Sequence, residues 1–334
     1  MGNAFQYVPE AELYDVARSA PSCVAYLFRN KIRTVRLGNT YLKKKFALED
    51  ELSTLVAEVR AAGGKGYPSS WADVYKRVFP IERAPHPIRA IFANKRIRGA
   101  WEEARITGQL IGSWRVYDIR SAYASAALRG LPDSKTFRLS EKIEPGGFYV
   151  ASWESATAPA PAFFQRGRSS LCTAQEVERY DLRGVVVHRG VTFDRLRFDV
   201  GSNLERIRRS FTHYKKIFRG YWSAFGQTST LENQVLRKGK IVKTWQVPMK
   251  AKDPVLPAFI QAYTRLRVQE HAAAACHIFN DAVTVPYEIE EGPNDGDWAL
   301  KQNLVAPITV SGAGNLHDNA TYRRAAGTPL MKRG

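Results

Sequence analysis

The sequence has little cysteine and no long apolar run. Its three cysteines, Cys23, Cys172 and Cys276, are odd in number and far apart, which argues against a disulfide framework and against a zinc site. No apolar stretch reaches the roughly 18 residues of a membrane span, and the N-terminal residues lack a basic-then-apolar signal pattern. These absences predict a protein of a reducing cytoplasm (the host cytoplasm if the source is viral) with no membrane partner.

Acidic residues are scarce relative to basic ones. The 334 residues include 50 lysines and arginines against 32 aspartates and glutamates, which gives a net charge of +18. The basic residues are spread along the whole chain, which suits a binding cleft better than a disordered arm. A field of this sign attracts polyanions, so nucleic acid is the favoured partner.

The apolar content of 44% is ordinary for a folded protein, and the length allows one large core or two modest ones. Residues 1–94 are predicted to be mainly helical, apart from a basic segment at 29–45. Residues 49–62 form an amphipathic pattern that ends at Gly63-Gly64, and residues 71–79 form a second short helix. Pro80, Pro85 and Pro87 indicate a linker.

One stretch organises the rest of the chain. Val116 and Tyr117 are predicted to end a strand that delivers Asp118 to a sheet edge, and a short helix over residues 121–128 follows. In this position the carboxylate can hold a metal ion, and the ring of Tyr123 can lie beneath a flat or sugar-like ligand. The simpler alternative is a partly exposed aspartate that caps a short helix.

A basic helix is predicted over residues 203–225. Its cations alternate with aromatic residues, and no acidic residue follows Glu205, so one side of the helix is expected to face phosphates. These cations are Arg206, Arg208, Arg209, Lys215, Lys216 and Arg219.

Further along the chain, short strands are predicted at 185–188 and 191–193, and a hairpin at 235–247. A helix over 258–275 leads into two short strands that meet at a tight Asn280-Asp281 turn. Before the organising stretch, Arg96 and Arg98 belong to a basic segment that also contains Gly99 and suits close approach to phosphates.

Four of these stretches, in order, resemble the motifs of family B DNA polymerases, in a shortened and degraded form of the protein-primed branch known from phages and linear plasmids. The first motif is matched by Asp118, Ser121, Tyr123, Ser125, Leu131 and Pro132. The second is matched by Ser223, Gly226 and Thr228, with Phe225 for a tyrosine, Trp222 for an asparagine and Phe218 for a lysine. Arg219 lies one residue after that lysine position. The C-terminal elements are matched by Gly296, Trp298 and Tyr322.

The third motif of the family, Tyr-x-Asp-Thr-Asp-Ser-Ile, falls on the Asn280-Asp281 turn in one of two registers. In the preferred register Asp281 takes the second aspartate, which is a metal ligand, and Phe279 replaces the first. In the other register Asp281 is the first aspartate and Val283 replaces the ligand.

The resemblance implies an α+β polymerase palm, in which an antiparallel sheet is backed by the helices at 203–225 and 258–275. It also implies fingers-like helices, a reduced thumb and no exonuclease domain. The expected division is an N-terminal region at 1–94, a palm and fingers core at 95–290, and a thumb-like segment at 291–334. No paired acidic motif of an exonuclease precedes residue 95.

The implied activity is template-directed DNA synthesis by two Mg²⁺ or Mn²⁺ ions without proofreading. Asp118 and Asp281 would be the catalytic metal ligands. The partners would be a DNA primer–template, deoxynucleoside triphosphates and, as one candidate primer, a terminal protein. Nucleotide contacts would come from Tyr123, Lys215, Lys216, Arg219 and Phe225, and DNA contacts from Arg96, Arg98, Arg208, Arg209, Tyr322 and Arg323.

Two other classes remain open. A catalytically inactive nucleic-acid-binding protein could be built on the same palm, and the replaced lysine, asparagine and aspartate positions favour it. A structural component such as a capsid or terminal protein would use only the basic surface. Metal-dependent primer extension separates the enzyme from both classes.

Overall fold

A computed structural model describes residues 4–28, 30–45, 52–65, 68, 71–79, 82–92, 101–165, 170–226, 230–248, 252–305, 307–312, 315–318 and 322–323. In chain order the described helices are α1 (Glu10–Ser19), α2 (Leu52–Ala61), α3 (Trp71–Val78), α4 (His86–Ile91), α5 (Ala122–Leu128), α6 (Ala162–Gln165), α7 (Ala174–Arg179), α8 (Asp199–Ser210), α9 (Tyr214–Gly226) and α10 (Val255–Ala272).

The described strands of the first half are β1 (Ala4–Val8), β2 (Cys23–Phe28), β3 (Lys31–Leu37), β4 (Thr40–Lys44), β5 (Trp101–Ala104), β6 (Gly108–Leu110), β7 (Ser113–Ile119), β8 (Leu131–Pro132), β9 (Phe137–Leu139), β10 (Phe148–Ser152) and β11 (Ser155–Ala156). Those of the second half are β12 (Ser170–Thr173), β13 (Leu182–Arg183), β14 (Val186–Phe193), β15 (Leu196–Arg197), β16 (Thr230–Arg237), β17 (Lys240–Pro248), β18 (His277–Asn280), β19 (Ala282–Val285), β20 (Trp298–Val305), β21 (Ile308–Gly312), β22 (Asn315–Asp318) and β23 (Tyr322–Arg323).

The chain divides into two compact units, each made from separate segments. Unit 1 consists of Met1–Arg83 and Asn203–Asp253, and unit 2 of Ala84–Ser202 and Pro254–Gly334. This division differs from the expected boundaries at 94 and 290. The reason is that the hairpin of β16 and β17 pairs with β2 and so returns the middle of the chain to the N-terminal sheet.

Unit 1 contains a six-stranded sheet in the order β1-β4-β3-β2-β16-β17. β1 runs parallel to β4, and the other neighbours are antiparallel. Helix α1 covers one face, where Leu13 and Ala17 pack on buried strand residues such as Ala25, Val35 and Leu42. The expected mainly helical N-terminal region therefore also contains four strands. In β3 the exposed Lys31 and Arg33 flank the buried Ile32, which is the period of a half-exposed strand.

The basic segment 203–225 is two helices, whereas the sequence predicted one. Helix α8 ends at Ser210 and α9 begins at Tyr214, and the carboxylate of Glu58 accepts hydrogen bonds from the backbone and side chain of Thr212 between them. Helix α9 packs against α3, and both helices belong to unit 1, whereas the sheet that carries Asp118 belongs to unit 2. Gly220 allows this packing, because a Cβ there would overlap the backbone at Trp71 and Ala72.

Unit 2 is built around a five-stranded antiparallel sheet in the order β20-β7-β19-β18-β5. On one face, Tyr117 and Ile119 of β7 share a buried cluster with Val268 of α10. On the other face, Val116 shares a cluster with Ile308 of β21 and further residues of β22. The helix predicted at 258–275 is thus confirmed as a helix that packs on this sheet, and the sheet lies between α10 and a four-stranded sheet, β23-β22-β21-β6.

A second sheet of unit 2 has the order β12-β10-β14-β9. The sequence predicted two strands around Arg189-Gly190, but β14 is continuous through both residues and carries a bulge opposite Val150. Gly190 makes room for the ring of Tyr149, which a Cβ at this position would overlap. The glycine therefore serves close packing and does not end the strand.

The fold is mixed α+β, in agreement with the fold class expected from the sequence. The part of the chain after residue 291 contributes β20 to the central sheet of unit 2 and β21 to β23 to the smaller sheet. None of the described helices is long and apolar enough to cross a membrane.

Candidate active site

Asp118 lies near the end of β7, an inner strand of the five-stranded sheet of unit 2. It shares a face of β7 with the buried Val116, and it is followed by Ser121, whose left-handed backbone (φ 45°) turns the chain into α5. Its direct neighbours on the flanking strands are Ala282 on β19 and Ala299 on β20. Two small side chains beside a carboxylate leave space next to it in the plane of the sheet.

Asp281 lies in the turn between β18 and β19, next to Asp118. Asn280 has φ 61°, which makes the tight turn, and the Ile119 N–H donates to the carbonyl oxygen of Asp281 at 3.0 Å. This bond ties the turn to the end of β7. The negative charge of Asp118 acts on the carboxyl group of Asp281, so the two carboxyl groups lie close together. The structure therefore brings together the two carboxylates predicted as metal ligands.

The electrostatics of this pair are unusual. Burial, and then the negative charge of Asp118, raises the pKa of Asp281 to about 7, although Lys301 acts in the opposite direction. Two carboxyl groups in a common site resist double ionisation, so one of them keeps its proton near neutral pH. A divalent cation removes this conflict, because it makes the doubly ionised form favourable.

Lys301 is a site residue that sequence reasoning missed. Its Nζ forms an ion pair with Oδ2 of Asp118, and its side chain is 40% exposed against 19% for Asp118. The pairing of β20 with β7 shifts between Leu300 and Gln302, so Lys301 is the extra residue of a bulge. A bulge redirects a side chain, and no motif around Lys301 in the sequence signals one.

Tyr123 lies close to both carboxylates. The turn at Ser121 places it in the first turn of α5, where burial, followed by the charges of Asp281 and Asp118, raises the pKa of its hydroxyl. Arg265 of α10 acts on Tyr123 in the opposite direction. Tyr123 therefore stays neutral at physiological pH and presents a ring and a hydroxyl beside the acidic pair.

The donor set fits a hard divalent cation. Oδ1 of Asp118 is buried and has no hydrogen-bond partner among the residues that the structure describes. Carboxylate oxygens are the ligands that Mg²⁺ takes from proteins, usually one or two of them together with water and substrate phosphates. Within the described ranges, no cluster of three or more histidine, cysteine, aspartate or glutamate side chains is arranged to hold a metal ion. The pair thus suits a cation shared with a substrate better than a closed structural metal site.

The two registers considered for the third motif place different residues beside Asp118. Val283 is buried in the cluster that includes Tyr117 and Val268, on the face of the sheet away from the carboxylate. Asp281 is the residue of this turn that meets Asp118. This geometry favours the register in which Asp281 is the ligand.

The predicted phosphate-binding cations belong to unit 1. Arg209 and Lys215 are exposed, Arg208 pairs with Glu205 one turn earlier, and Lys216 lies with its Nζ 5.5 Å from the ring centre of Trp71. Arg219 lies on α9, and its side chain is outside what the structure describes. These helices present positive charge without competing acidic residues on α9.

Phe225 does not have the position expected of it. It was predicted to stack near a bound nucleotide, but its side chain is only 4% exposed and packs edge-on against Tyr75 at 5.8 Å. Its carbonyl oxygen also accepts the backbone N–H groups of Lys252 and Asp253. An aromatic residue at the end of an amphipathic helix can pack in the core or can contact a ligand. Phe225 packs in the core of unit 1.

The remaining predicted DNA-binding residues fall at the margins of what the structure describes. Arg96 and Arg98 lie outside the described residues. Tyr322 and Arg323 form β23 and pair with His317 and Leu316 of β22, and their side chains are outside what the structure describes. Their role in DNA binding stays a prediction.

No protein-family model matches the sequence, and no curated protein sequence matches it. Solved structures do match. A phi29 DNA polymerase complexed with primer–template DNA has a TM-score of 0.67 at 12% identity, over 94% of this chain and 78% of that one. A phi29 DNA polymerase complexed with single-stranded DNA has a TM-score of 0.55 at 13% identity, over 81% of this chain and 57% of that one. The phi29 DNA polymerase in an orthorhombic crystal form has a TM-score of 0.50 at 13% identity, over 79% of this chain and 54% of that one.

The chain thus spans little more than half of the length of two of these polymerases. At 12–13% identity the likeness concerns the fold. The protein has a fold similar to that of the DNA polymerase of phage phi29.

Proposed function

We propose that this chain is a template-directed DNA polymerase that lacks proofreading and replicates a viral or plasmid genome. The observation that carries the proposal is the pair of carboxyl groups, Asp118 and Asp281, which lie close together beside the neighbouring strands β7 and β19. They lie within a fold similar to that of a DNA polymerase. A pair of this kind is what nucleotidyl transfer needs for positioning divalent cations.

In the reaction, the 3′-hydroxyl oxygen of the primer forms a bond to the α-phosphorus of a deoxynucleoside triphosphate. The bond from that phosphorus to the pyrophosphate breaks, and the hydroxyl proton leaves to water. Asp118 and Asp281 would hold Mg²⁺ or Mn²⁺, which supplies stabilisation of the negative charge on the attacking and leaving oxygens.

The chain's own residues have separate tasks in this proposal. Asp118 on β7 and Asp281 in the neighbouring turn would both be ionised once a divalent cation is bound. The ring of Tyr123 lies beneath the deoxyribose and excludes a 2′-hydroxyl. Lys215, Lys216 and Arg219 bind the triphosphate. The primer–template is held by a set of cations and one aromatic residue, namely Arg96, Arg98, Arg208, Arg209, Tyr322 and Arg323.

The parts of the molecule then correspond to those of a polymerase. Unit 2 carries the palm, the helices α2, α3, α8 and α9 supply the fingers-like element, and residues 291–334 supply a reduced thumb. The primer is a DNA strand or a terminal protein, and the setting is the cytoplasm of the host.

The test is primer extension by the purified chain with Mg²⁺ or Mn²⁺. Wild type should extend a primer in a template-dependent manner, and Asp118→Asn should abolish extension because a cation loses a ligand. Asp281→Asn should do the same if its carboxylate is the second ligand. Asp194→Asn is the matched control, since Asp194 is exposed and pairs with Arg138 on the surface of unit 2. Equal extension by Asp281→Asn and wild type would show that the other register of the third motif is correct.

A second candidate rests on Lys301. Its ammonium group already neutralises the charge of Asp118. An inactive nucleic-acid-binding protein built on a palm could use such an ion pair where an active polymerase binds a metal ion. Wild type that binds primer–template but extends it with neither metal ion would exclude the polymerase and establish this alternative.

A further inference from the structure

The sheet of unit 1 has one face that α1 does not cover. The strand register places aromatic side chains from four strands on this face, opposite the buried Ala25, Val35 and Leu42. We call it the aromatic face and define it by Phe5 on β1, Tyr41 on β4, Tyr26 on β2 and Trp245 on β17.

The four rings are organised by contact and are not scattered. Phe5 stacks on Tyr41 with ring centres 5.4 Å apart, and Tyr41 stacks on Tyr26 at 6.4 Å. Tyr26 pairs across the strands with Asn233, and Asn233 pairs with Trp245. In the amide orientation that satisfies both of its groups, Asn233 accepts a hydrogen bond from the indole Nε1 of Trp245 at 3.0 Å. The rings therefore follow one path across the sheet.

Cations are interleaved with these rings. The guanidinium carbon of Arg36 lies 6.0 Å from the ring centre of Tyr41, and Nζ of Lys43 lies 4.6 Å from that of Phe5. Lys243, which is exposed, shares the face two residues before Trp245. The paired positions of β1, β4, β3, β2, β16 and β17 on this face include no acidic residue.

Among the residues of unit 1 that the structure describes, some cover one corner of the face. There, Tyr7 donates a hydrogen bond to the carbonyl oxygen of Pro68, and the negative charge of Asp73 on α3 acts on the ammonium group of Lys43. Away from that corner, Phe5 is 41% exposed and Trp245 is 37% exposed. Large apolar side chains exposed together on one surface indicate a binding site more often than a chance arrangement.

We infer that the aromatic face binds single-stranded nucleic acid. Unpaired bases stack on exposed aromatic rings, and cations between the rings take the phosphates, which is how open sheets recognise single strands. In a duplex the bases are stacked on each other, so their flat faces are not available for stacking on the protein's aromatic rings. An acidic partner protein would satisfy the cations but would leave the stacked rings without flat partners. The site is distinct from the carboxylate pair and needs no metal ion.

The test uses the full chain in EDTA with fluorescently labelled dT15 and U15, and binding is followed by fluorescence anisotropy. The triple variant Phe5→Ala/Tyr41→Ala/Trp245→Ala should weaken binding of both strands by about 10-fold or more, because each stacked base contributes roughly a 5- to 150-fold factor to affinity. Phe198→Ala is the matched control, since Phe198 is an exposed aromatic residue of unit 2. It should change affinity less than about 2-fold.

A second measurement locates the strand. Oligonucleotides that carry 5-iodouracil or 4-thiouridine should crosslink on irradiation to Phe5, Tyr26, Tyr41 or Trp245, and Tyr41→Phe should retain binding because it keeps the ring. Crosslinks confined to unit 2, or unchanged affinity in a folded triple variant, overturn the inference. Dimerisation that the triple variant loses while oligonucleotide binding stays the same also overturns it and assigns the face to a second copy of the chain. Binding at the face with no primer extension leaves the inference standing and refutes only the polymerase proposal.

Discussion

At the scale of single residues, the protonation of Asp281 gives the sharpest expectation. Its carboxyl group has a pKa raised from 3.8 to about 7, so between these values the folded chain keeps a proton that the unfolded chain has lost. The stability that the protonated form contributes is complete below about pH 4 and is lost as pH rises through 7.

We therefore expect the free energy of unfolding of wild type, relative to Asp281→Asn, to fall by roughly 2 kcal/mol between pH 5 and pH 8 in cation-free buffer. Urea titrations at several pH values measure this difference. Mg²⁺ should reverse the trend at high pH, because it binds the ionised pair. A difference that does not vary with pH would contradict the raised pKa.

Lys301 competes with any cation for Asp118. Removing a positive charge that touches a ligand oxygen should favour cation binding, so Lys301→Met should bind Mn²⁺ about 10-fold more tightly than wild type. Mn²⁺ titration followed by electron paramagnetic resonance measures this without any reaction. Lys135→Met, at an exposed lysine of unit 2, is the control. Weaker Mn²⁺ binding in Lys301→Met would mean that the ammonium supports the site and does not compete with the metal.

The residues of the site differ in how far the sequence could predict them. Asp118, Tyr123 and Asp281 carry local signals, namely a strand end, a helix start and a tight turn, and the structure brings all three together. Lys301 depends on a bulge in β20, which is set by how two distant strands align. Phe225 was placed in a nucleotide site because a motif resemblance does not distinguish an exposed ring from a buried one.

At the scale of elements, a buried ion pair connects α7 to α10. Nη2 of Arg265 lies 2.6 Å from Oε1 of Glu176, and the two side chains are 3% and 1% exposed. Glu176 also completes the capping box of α7 with Thr173. The pair therefore joins the helix that backs the central sheet to the neighbouring sheet.

Breaking this pair leaves one buried charge without compensation, so Arg265→Met should destabilise the chain by about 3 to 5 kcal/mol. Arg138→Met removes an exposed arginine of the pair with Asp194 and should cost less than about 1 kcal/mol. Urea unfolding of both variants gives the comparison. Similar decreases in stability in the two variants would show that Glu176 is neutralised by other means.

The helices α8 and α9 should govern DNA affinity. Replacing Arg208, Arg209, Lys215 and Arg219 together by glutamine should weaken primer–template binding. It should also reduce the slope of log Kd against log salt concentration by roughly 0.9 for each phosphate that the variant no longer neutralises. Anisotropy at several salt concentrations measures both quantities.

The matched control removes the same total charge from four exposed cations of unit 2, namely Arg138, Lys142, Arg183 and Arg195. It lowers the overall field equally, so only a local effect separates the two variants. An equal change in slope would assign binding to net charge and not to these helices.

The local hydrophobic pattern of the sequence was a good guide to helices and hairpins that pack against the rest of the protein through a single face. The helix expected at 258–275 is observed as Val255–Ala272, and the hairpin expected at 235–247 as the longer pair of β16 and β17. The strands β3 and β4 were less visible, because lysines and arginines stand beside their buried residues and give the impression of a basic loop. The strands β1 and β2, which contain no basic residue, were also missed. The break between α8 and α9 depends on Glu58, which is distant in sequence.

At the scale of the whole molecule, we expect no nuclease activity. Metal-dependent hydrolysis of a DNA strand needs clustered carboxylates, and the sequence before residue 95 has no paired acidic motif of the kind that a proofreading exonuclease needs. The purified chain with Mg²⁺ should leave labelled single-stranded DNA intact on denaturing gels, with a proofreading polymerase as the positive control. Degradation that disappears when an acidic residue of unit 1 is changed would refute this expectation.

The hairpin of β16 and β17 also affects how the protein can be made. During translation β2 leaves the ribosome early and can pair with β3, but its other partner, β16, is synthesised only after the first segment of unit 2. In the same way, β7 is synthesised long before its partners β19 and β20. The nascent chain therefore exposes two incomplete sheets at once, with unpaired strand edges that invite aggregation. A gene divided between these pairing strands encodes fragments that each lack part of a sheet. We therefore expect both units to fold only when they are produced as one chain.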